Sequence, residues 1–263
     1  MRKRQRNYME AKINKVAEMI AASKRLVVFT GAGISTESGI PDFRGPDGLW
    51  TKVDPEDFTI DRFLRSGETR KKVWYYLVEG GLMANAEPNR AHLAIAELEK
   101  MNKLSSVITQ NIDNLHQRAG NNPEIVHELH GNMQWLVCLD CGEHYDLELM
   151  RKKHPSPDHF PSCEKCRGVL KPDVVFFGEM LPPHTLMMAE RESQECDLFM
   201  VIGSSLVVYP AAYMPLYAKR SGANIVIINM GDTGHDDIAD VFIDAPAGDT
   251  MARIMNRLKE IVK

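Results

Sequence analysis

The sequence predicts an α/β protein built on a parallel sheet, and two observations support this prediction. Short apolar strand candidates recur along the chain, at residues 26–29, 104–108, 174–177, 198–202 and 225–228. Amphipathic helical patterns lie between several of them. Strands that alternate with helices form parallel βαβ units, and continuously apolar strands are buried on both faces. The pattern therefore indicates a sheet with helices on both sides.

Helical periodicity predicts the elements that cover this sheet. The first helix is expected at residues 11–23, where Ile13, Val16 and Ile20 recur at helical spacing. Further helices are predicted at residues 92–100, 184–195, 211–220 and 250–262. Two segments interrupt the alternation: residues 41–67 are rich in Pro, Gly and Asp, and residues 133–171 contain four cysteines. We interpret the second segment as an inserted small module.

Composition limits the classes of function. The chain has 263 residues, a formal net charge of -4 and a pI near 6.2, which argues against a protein that mainly binds a nucleic-acid backbone. The basic start, Arg2-Lys3-Arg4-Gln5-Arg6, is predicted to be a solvated tail. It lacks the apolar region of a secretory signal, and no apolar run approaches the roughly 20 residues that span a bilayer. We therefore expect a cytoplasmic protein without a membrane partner.

Two glycines follow the first predicted strand, in Thr30-Gly31-Ala32-Gly33-Ile34-Ser35. Glycines at such a position let a backbone approach a pyrophosphate, although a plain tight turn would use them equally well. The dehydrogenase pattern G-x-G-x-x-G is incomplete because Thr36 occupies its third glycine position. The acidic residue expected about 20 positions later also has no good candidate. The loop therefore favours nucleotide binding, with hydride transfer not the leading hypothesis.

Four of the five cysteines form two pairs, Cys138-x-x-Cys141 and Cys163-x-x-Cys166, separated by 21 residues. This spacing is one residue beyond the usual upper end for a zinc ribbon. Four thiolates fill the tetrahedron of zinc and leave no position for an activated water. We therefore predict one structural zinc ion. A zinc-ribbon module that binds nucleic acid is an alternative, although Arg151-Lys152-Lys153 is the only basic run in the module.

Two polar segments are candidates for a catalytic site. Residues 109–113 follow a predicted strand directly, so their amides and carboxylate lie at the carboxyl end of the sheet, where open α/β sheets bind ligands. Residues 128–132 contain His130, a candidate base because imidazole titrates near neutral pH. Spacing alone does not distinguish His130 from His116 or His127.

Taken together and in order, these motifs resemble the sirtuins, which are NAD-dependent protein lysine deacylases. The motifs are Gly31-Ala32-Gly33-Ile34-Ser35, Asp42-Phe43-Arg44, residues 109–113, His130-Gly131, the two cysteine pairs, Val174-Val175-Phe176-Phe177-Gly178-Glu179, Gly203-Ser204-Ser205-Leu206 and Ile228-Asn229. The resemblance runs from about Lys12 to the C-terminal end. It implies a large Rossmann-like NAD-binding domain (residues 11–54, 89–132 and 172–263). It also implies a small domain (residues 55–88 and 133–171) made of a helical insertion and the zinc module.

The resemblance also assigns site residues. Those implied for NAD binding are Gly31, Ala32, Gly33, Ser35, Thr36, Phe43, Arg44, Gln110, Asn111, Ile112, Asp113, Gly203, Ser204, Ser205, Asn229, Met230 and Asp249. Those implied for the acyl-lysine tunnel and the edge that pairs with a substrate peptide are Val175, Phe177 and Gly178. The implied catalytic residues are His130, as general base, and Asn111. The zinc ligands would be Cys138, Cys141, Cys163 and Cys166.

The implied reaction deacetylates lysine in proteins or peptides, consumes NAD and releases nicotinamide and O-acetyl-ADP-ribose. Nicotinamide leaves as a neutral group, so the site mainly orients NAD and excludes water. A base then deprotonates a ribose hydroxyl so that the reaction advances. Mono-ADP-ribosyl transfer to a protein acceptor would use the same pocket and is the nearer alternative. We expect acylated proteins, and no specific nucleic acid, as partners.

The preferred acyl group is predicted from a position at which this sequence differs from one group of sirtuins. Sirtuins that remove acidic acyl groups resemble one another in a Tyr-x-x-Arg pattern whose arginine faces the acyl carboxylate. The corresponding stretch here has Tyr75 followed by Val78. A buried carboxylate without a partner is costly. We therefore expect a preference for acetyl-lysine over succinyl-lysine.

Overall fold

A computed structural model describes residues 2–43, 45, 48–78 and 86–263, with the backbone alone for residues 2–6. Arg44, one of the predicted NAD-site residues, lies outside the described residues. Among the helices described, none combines the length and the apolar character needed to cross a bilayer.

The described residues form nine strands and nine α-helices. The strands are β1 (Leu26–Thr30), β2 (Leu104–Thr109), β3 (Val126–Glu128), β4 (Gly131–Cys138), β5 (His144–Asp146), β6 (Leu170–Val174), β7 (Leu198–Ile202), β8 (Asn224–Asn229) and β9 (Val241–Asp244). The helices are α1 (Arg2–Ala22), α2 (Ile60–Arg65), α3 (Gly67–Val78), α4 (Arg90–Lys100), α5 (Leu115–Ala119), α6 (Leu147–Lys153), α7 (Pro183–Glu195), α8 (Met214–Arg220) and α9 (Ala247–Ile261).

Six strands form one parallel sheet in the order β3-β2-β1-β7-β8-β9. The chain therefore builds outward from β1 on one side and later returns to its other side with β7. This is the strand order of dinucleotide-binding domains, in which the ligand crevice opens at the carboxyl ends of the two strands where the direction reverses. In this chain those strands are β1 and β7.

The sheet is buried on both faces, as the uninterrupted apolar strands predict. All five residues of β1 and of β7 are buried. Val28 and Met200 pack in a cluster with apolar residues of α1, α4 and α9. Phe29 and Phe199 point into a second cluster with residues of α7 and α8. The alternation along each strand thus supplies two cores, and the carboxyl ends of the strands are left to the loops.

A second, antiparallel sheet has the order β5-β4-β6. Its core holds Leu136, Leu170 and two of the cysteines, packed against Trp74 of α3. The fully buried Trp74 ring donates its indole N–H to the carbonyl of Ser156 at 3.0 Å. The predicted boundaries at residues 132–133 and 171–172 fall inside β4 and β6, because these strands run continuously from the polar segments into the cysteine module.

Two sequence predictions of local structure are wrong. Residues 174–177 do not form a strand of the parallel sheet: only Val174 is in a strand, and β6 is antiparallel to β4. A short apolar run is buried in either setting, so periodicity alone does not tell which sheet it joins. The first helix begins at Arg2, nine residues before the predicted start, so the backbone of the basic segment at residues 2–6 is helical.

Three glycines bring the loops after β1 and β7 into direct contact. A Cβ on Gly31 would lie 2.7 Å from the carbonyl oxygen of Gly203, and one on Gly33 would lie 2.9 Å from the Cα of Gly203. Gly203 itself has φ of +64°, and a Cβ there would overlap the amide nitrogen of Ile34. The Gly33 N–H donates to the Gly203 carbonyl at 2.8 Å. The glycines are therefore required by the approach of one protein loop to another.

We expect Gly203→Ala to be severely destabilising. The new Cβ would collide with Ile34, and the alanine backbone would have to adopt a left-handed conformation. The free energy of unfolding should therefore fall by about 2–5 kcal/mol. Gly222→Ala is the matched control because Gly222 also has a positive φ, +94°, with nothing within 4 Å of the added Cβ. It should cost about 1–2 kcal/mol. Equal losses for the two variants in denaturant unfolding would contradict the close-contact argument.

Candidate active site

A hydrogen-bond network connects the loops that follow β1 and β2. Asn111 is buried, and its side-chain amide donates to the Gly31 carbonyl and to Ser35 Oγ, both at 3.1 Å. Ser35 Oγ in turn donates to Asp113 Oδ2 at 2.7 Å. Asp113 Oδ1 accepts the Leu115 N–H at the start of α5. Three side chains from two predicted motifs therefore hold one another in fixed orientations.

A second link joins β2 to the loop after β7. Gln110 Nε2 donates to Ser204 Oγ at 2.7 Å, and its backbone N–H donates to the Thr30 carbonyl at 3.0 Å. Ser204 is 5 % exposed. The loops after β1, β2 and β7 therefore form one connected rim at the point where the strand order reverses.

A hydrogen bond to the backbone of Gln110 orients the His130 ring. Its Nδ1 lies 2.9 Å from the carbonyl oxygen of Gln110. Because a carbonyl only accepts, Nδ1 carries the proton, and neutral His130 keeps a lone pair on Nε2. Burial lowers the pKa of His130 below its ordinary value of 6.5, against the opposing effect of the Gln110 contact. The imidazole is therefore neutral at pH 7 and is suited to accept a proton at Nε2.

The other two candidate histidines have different surroundings. His116 is fully buried: its Nε2 lies 2.9 Å from Thr30 Oγ1, and burial holds its pKa well below the ordinary value. His127 lies on β3, where burial lowers its pKa and the nearby charges are those of Glu192 and His184 on α7. The structure thus separates three histidines that sequence spacing did not.

The residues predicted for the adenosine half differ in exposure. Asn229 is buried, and its amide donates to the carbonyls of Met230 and Gly231 at 3.1 and 3.0 Å. Ser205 and Met230 are exposed. Asp249 is also exposed and lies 3.7 Å from Arg253.

Glu37, which the sequence analysis did not single out, contacts the start of α9. Its carboxylate accepts the Gly248 N–H at 2.7 Å. A helix N-terminus attracts a carboxylate in this way. No local pattern points to this contact, because it joins residues far apart in the chain.

An aromatic cluster connects the predicted cofactor side to the predicted substrate side. The centroid of the Trp50 ring lies 5.3 Å from that of Phe43, 5.9 Å from that of Phe58 and 5.7 Å from that of Phe177. Trp50 was not among the site residues predicted from the sequence. Phe177 is 43 % exposed. The described part of the loop after β1 therefore packs directly against Phe177, one of the residues predicted for the acyl-lysine tunnel.

The predicted substrate residues are tied to His130 through the backbone. The Val175 N–H donates to the His130 carbonyl at 2.8 Å. The N–H of Phe177 donates to the Phe58 carbonyl at 2.9 Å, and its carbonyl accepts the Ile60 N–H at 3.0 Å. Phe177 therefore already uses both of its backbone groups within the protein. An added peptide strand would have to pair elsewhere, next to Gly178.

The four paired cysteines converge on one point, with their sulfur atoms all within 4.8 Å of one another. Cys138 and Cys166 have sulfurs 3.5 Å apart, and Cys141 and Cys163 have sulfurs 3.7 Å apart. A zinc–sulfur bond of about 2.3 Å requires tetrahedral edges of about 3.8 Å. The cluster therefore fits a zinc ion. The Tyr145 hydroxyl, which the sequence analysis missed, lies 3.1 Å from Cys163 Sγ.

A family model described as the Sir2 family matches residues 31–210. The chain belongs to the Sir2 family. The match includes the glycine loop, the polar segment after β2, His130, both cysteine pairs and the first loop residues after β7. The nucleotide crevice and the zinc module therefore belong to one family pattern.

Relatives of this Sir2-family chain match over almost its whole length. An NAD-dependent protein deacylase 2 of Archaeoglobus fulgidus is 50 % identical over 96 % of this chain and 98 % of its own. An NAD-dependent protein deacetylase 1 of Pyrobaculum aerophilum is 47 % identical over 94 % of this chain and 95 % of its own. Both names include NAD and removal of an acyl group.

Solved structures agree with the sequence relatives. A structure from work on the mechanism and regulation of Sir2 enzymes has a TM-score of 0.87 and 50 % identity, covering 96 % of this chain and 99 % of its own. A Sir2 complex with a p53 peptide and NAD+ has a TM-score of 0.82 and 40 % identity, covering 95 % and 98 %. The Rossmann-like fold predicted from the resemblance is thereby confirmed.

We expect Cys138→Ser to reduce zinc content and stability together. The energy of metal binding in such a module is folding energy, so losing one ligand weakens both. Cys196→Ser is the matched control, since the buried Cys196 lies outside the cluster and its Sγ–H donates to the Ser193 carbonyl. It should retain its metal. Metal analysis and thermal unfolding test this, and a metal-free, stable, fully active Cys138→Ser protein would contradict it.

The acid limb of the pH–rate profile should reflect His130. A general base must be unprotonated to act, and burial lowers the pKa of His130. The kcat/KM for deacetylation of an acetylated peptide should therefore fall only as the pH drops through a midpoint below 6.5. His127→Asn should leave this midpoint in place. A midpoint at or above 6.5, or one that moves in His127→Asn, would show that another group controls the limb.

Proposed function

We propose that this protein removes acetyl groups from lysine side chains of proteins, consumes NAD and releases nicotinamide and O-acetyl-ADP-ribose. The observation that supports this most directly is His130, a neutral imidazole held by the Gln110 carbonyl at the carboxyl end of a dinucleotide-binding sheet. The relatives named as NAD-dependent deacetylases and deacylases support the same reaction.

The NAD site in this proposal is the rim formed by the loops after β1, β2 and β7. Asn111 and Asp113 hold the nicotinamide end, because their side chains are already fixed by Ser35 and Gly31. Gln110 and Ser204 close the floor between the two halves. Phe43, supported by Trp50, covers the nicotinamide face and excludes water. NAD supplies the ribose electrophile that receives the acyl group.

His130 acts as the general base. The Nδ1–H of His130 keeps donating to the Gln110 carbonyl, and Nε2 takes the proton of a ribose hydroxyl. A fixed tautomer matters because rotation of the ring would present a protonated nitrogen to the substrate. Val175 and Gly178 hold the acyl-lysine peptide beside His130, because the Val175 N–H donates a hydrogen bond to the His130 carbonyl.

The alternatives have less support. Mono-ADP-ribosyl transfer requires the same crevice, but the relatives are named for deacylation. A nucleic-acid function for the zinc module is not favoured by the charge of -4. Incubation with NAD and an acetylated peptide separates the three, because only deacetylation yields free lysine and O-acetyl-ADP-ribose.

Four paired cysteines without disulfides also favour a reducing compartment, and we propose the cytoplasm.

His130→Ala should stop deacetylation while retaining some acetyl-peptide-dependent exchange of labelled nicotinamide into NAD. The base acts after nicotinamide has left, so its loss should lower deacetylation by about 10²–10⁴-fold and spare exchange relative to it. Asp113→Asn should lower both, because it disturbs Ser35 and the nicotinamide end of the site. His127→Asn is the control and should preserve both. Deacetylation by His130→Ala near the wild-type rate would remove His130 from the mechanism.

Acetyl-lysine should be strongly preferred over succinyl-lysine. Val78 ends α3 and offers no cation to an acyl carboxylate, where acidic-acyl sirtuins have arginine. Val78→Arg tests the reason, because an added cation at this position should raise kcat/KM for the succinyl peptide relative to the acetyl peptide. Val78→Met is the control for size. Comparable turnover of the two peptides by the wild-type protein would contradict the prediction.

A further inference from the structure

Lys171 is a buried lysine whose ammonium group is fully used. Its side chain is 5 % exposed, and Nζ lies 3.0 Å from the Pro172 carbonyl and 2.6 Å from the Val174 carbonyl. The third acceptor is Glu179 Oε2, at 3.1 Å. Nζ also lies 4.6 Å from the centre of the Phe176 ring. An ammonium has three donors, so every proton has a partner.

Glu179 uses the same oxygen to fix a turn. Its Oε2 accepts the Phe176 N–H at 2.7 Å, while its own N–H donates to the Phe176 carbonyl at 3.0 Å. Residues 176–179 therefore form a closed turn with Gly178 at its third position, where φ is +89°. A positive φ at that position is the requirement of a type II turn. The ion pair thus closes the segment that carries Phe177 and Gly178.

The pair also lies where two parts of the molecule meet. Lys171 pairs with Val137 in the small sheet, and the preceding residue, Leu170, pairs with the cysteine Cys138. On its other side, the Val175 N–H is bonded to the His130 carbonyl. Lys171 and Glu179 therefore connect the cysteine-bearing sheet to the predicted peptide edge, without belonging to the NAD rim described above.

We propose that Lys171 and Glu179 are positioning residues for the acyl peptide. Their ion pair sets the shape of residues 175–179, so it determines the Michaelis constant for the peptide and leaves that for NAD unchanged. This inference rests on the proposed function. The ion pair contacts the turn rather than the reacting atoms, and its loss acts through the backbone groups next to Gly178.

Glu179→Gln is the first test, because glutamine keeps an acceptor for the Phe176 N–H and removes the charge that Lys171 faces. We expect KM for an acetylated peptide to rise about tenfold, as for the loss of a charged hydrogen bond, with KM for NAD within about twofold of wild type. Lys171→Met should do the same, and Lys171→Arg, which keeps the cation, should restore part of the peptide KM. In the double variant Lys171→Met with Glu179→Gln, the peptide KM should rise by less than the product of the two single-variant increases.

Lys219→Met is the matched control. Lys219 also faces a carboxylate, Asp240, at 2.8 Å, and that carboxylate also accepts a backbone N–H, from Ile225. It should change neither constant. Zinc content and thermal unfolding are measured for each variant, and Glu179→Gln decides if Lys171→Met does not fold. An unchanged peptide KM, or equal rises in both constants, overturns the inference. Failure of the wild-type protein to deacetylate with NAD overturns the proposed function instead.

Discussion

The contact between two backbone turns at the carboxyl ends of β1 and β7 is the constraint on which the site depends. Gly31 and Gly33 approach Gly203 so closely that a side chain on any of them would collide with backbone atoms. Because these strands are neighbours and parallel, their loops leave the sheet together and must share one small volume. Glycine is the only residue that meets this requirement, and the contact fixes the floor of the crevice.

Polar groups are then ordered on this floor by mutual hydrogen bonding. Asn111, Ser35 and Asp113 form a chain of bonds, and Gln110 bonds to Ser204 across the strand reversal. A buried amide or hydroxyl without a partner is costly, so these side chains have little freedom to reorient. The same β2 loop supplies the Gln110 carbonyl that selects the tautomer of His130. Ligand orientation and base chemistry therefore depend on one short segment of backbone.

The small sheet is coupled to this centre by chain continuity. β4 begins directly after His130 and ends at Cys138, and β6 returns from the cysteine cluster to the residues beside His130. Gly131 makes the crossing possible, since a Cβ there would collide with the Asp173 carbonyl. Metal binding in the module would therefore stabilise two strands whose other ends hold the catalytic segment and the peptide edge.

The sequence by itself determined the class of fold and the four clustered cysteines, and it predicted the candidate site residues, because these depend on patterns that are local. Continuous apolar strands predicted the buried sheet, two C-x-x-C pairs predicted the cluster, and the order of motifs led to the sirtuin resemblance. It did not determine the sheet joined by residues 174–177 or the partners of Trp50 and Glu37. Spacing alone did not distinguish three histidines, and the sirtuin resemblance was needed to assign His130. Each of these depends on contacts between residues distant in the chain, and burial and hydrogen-bond partners exist only once the chain has folded. Lys171 shows the same limit: lysine is almost never fully buried unless it is paired, and only the tertiary structure surrounds this one with three acceptors.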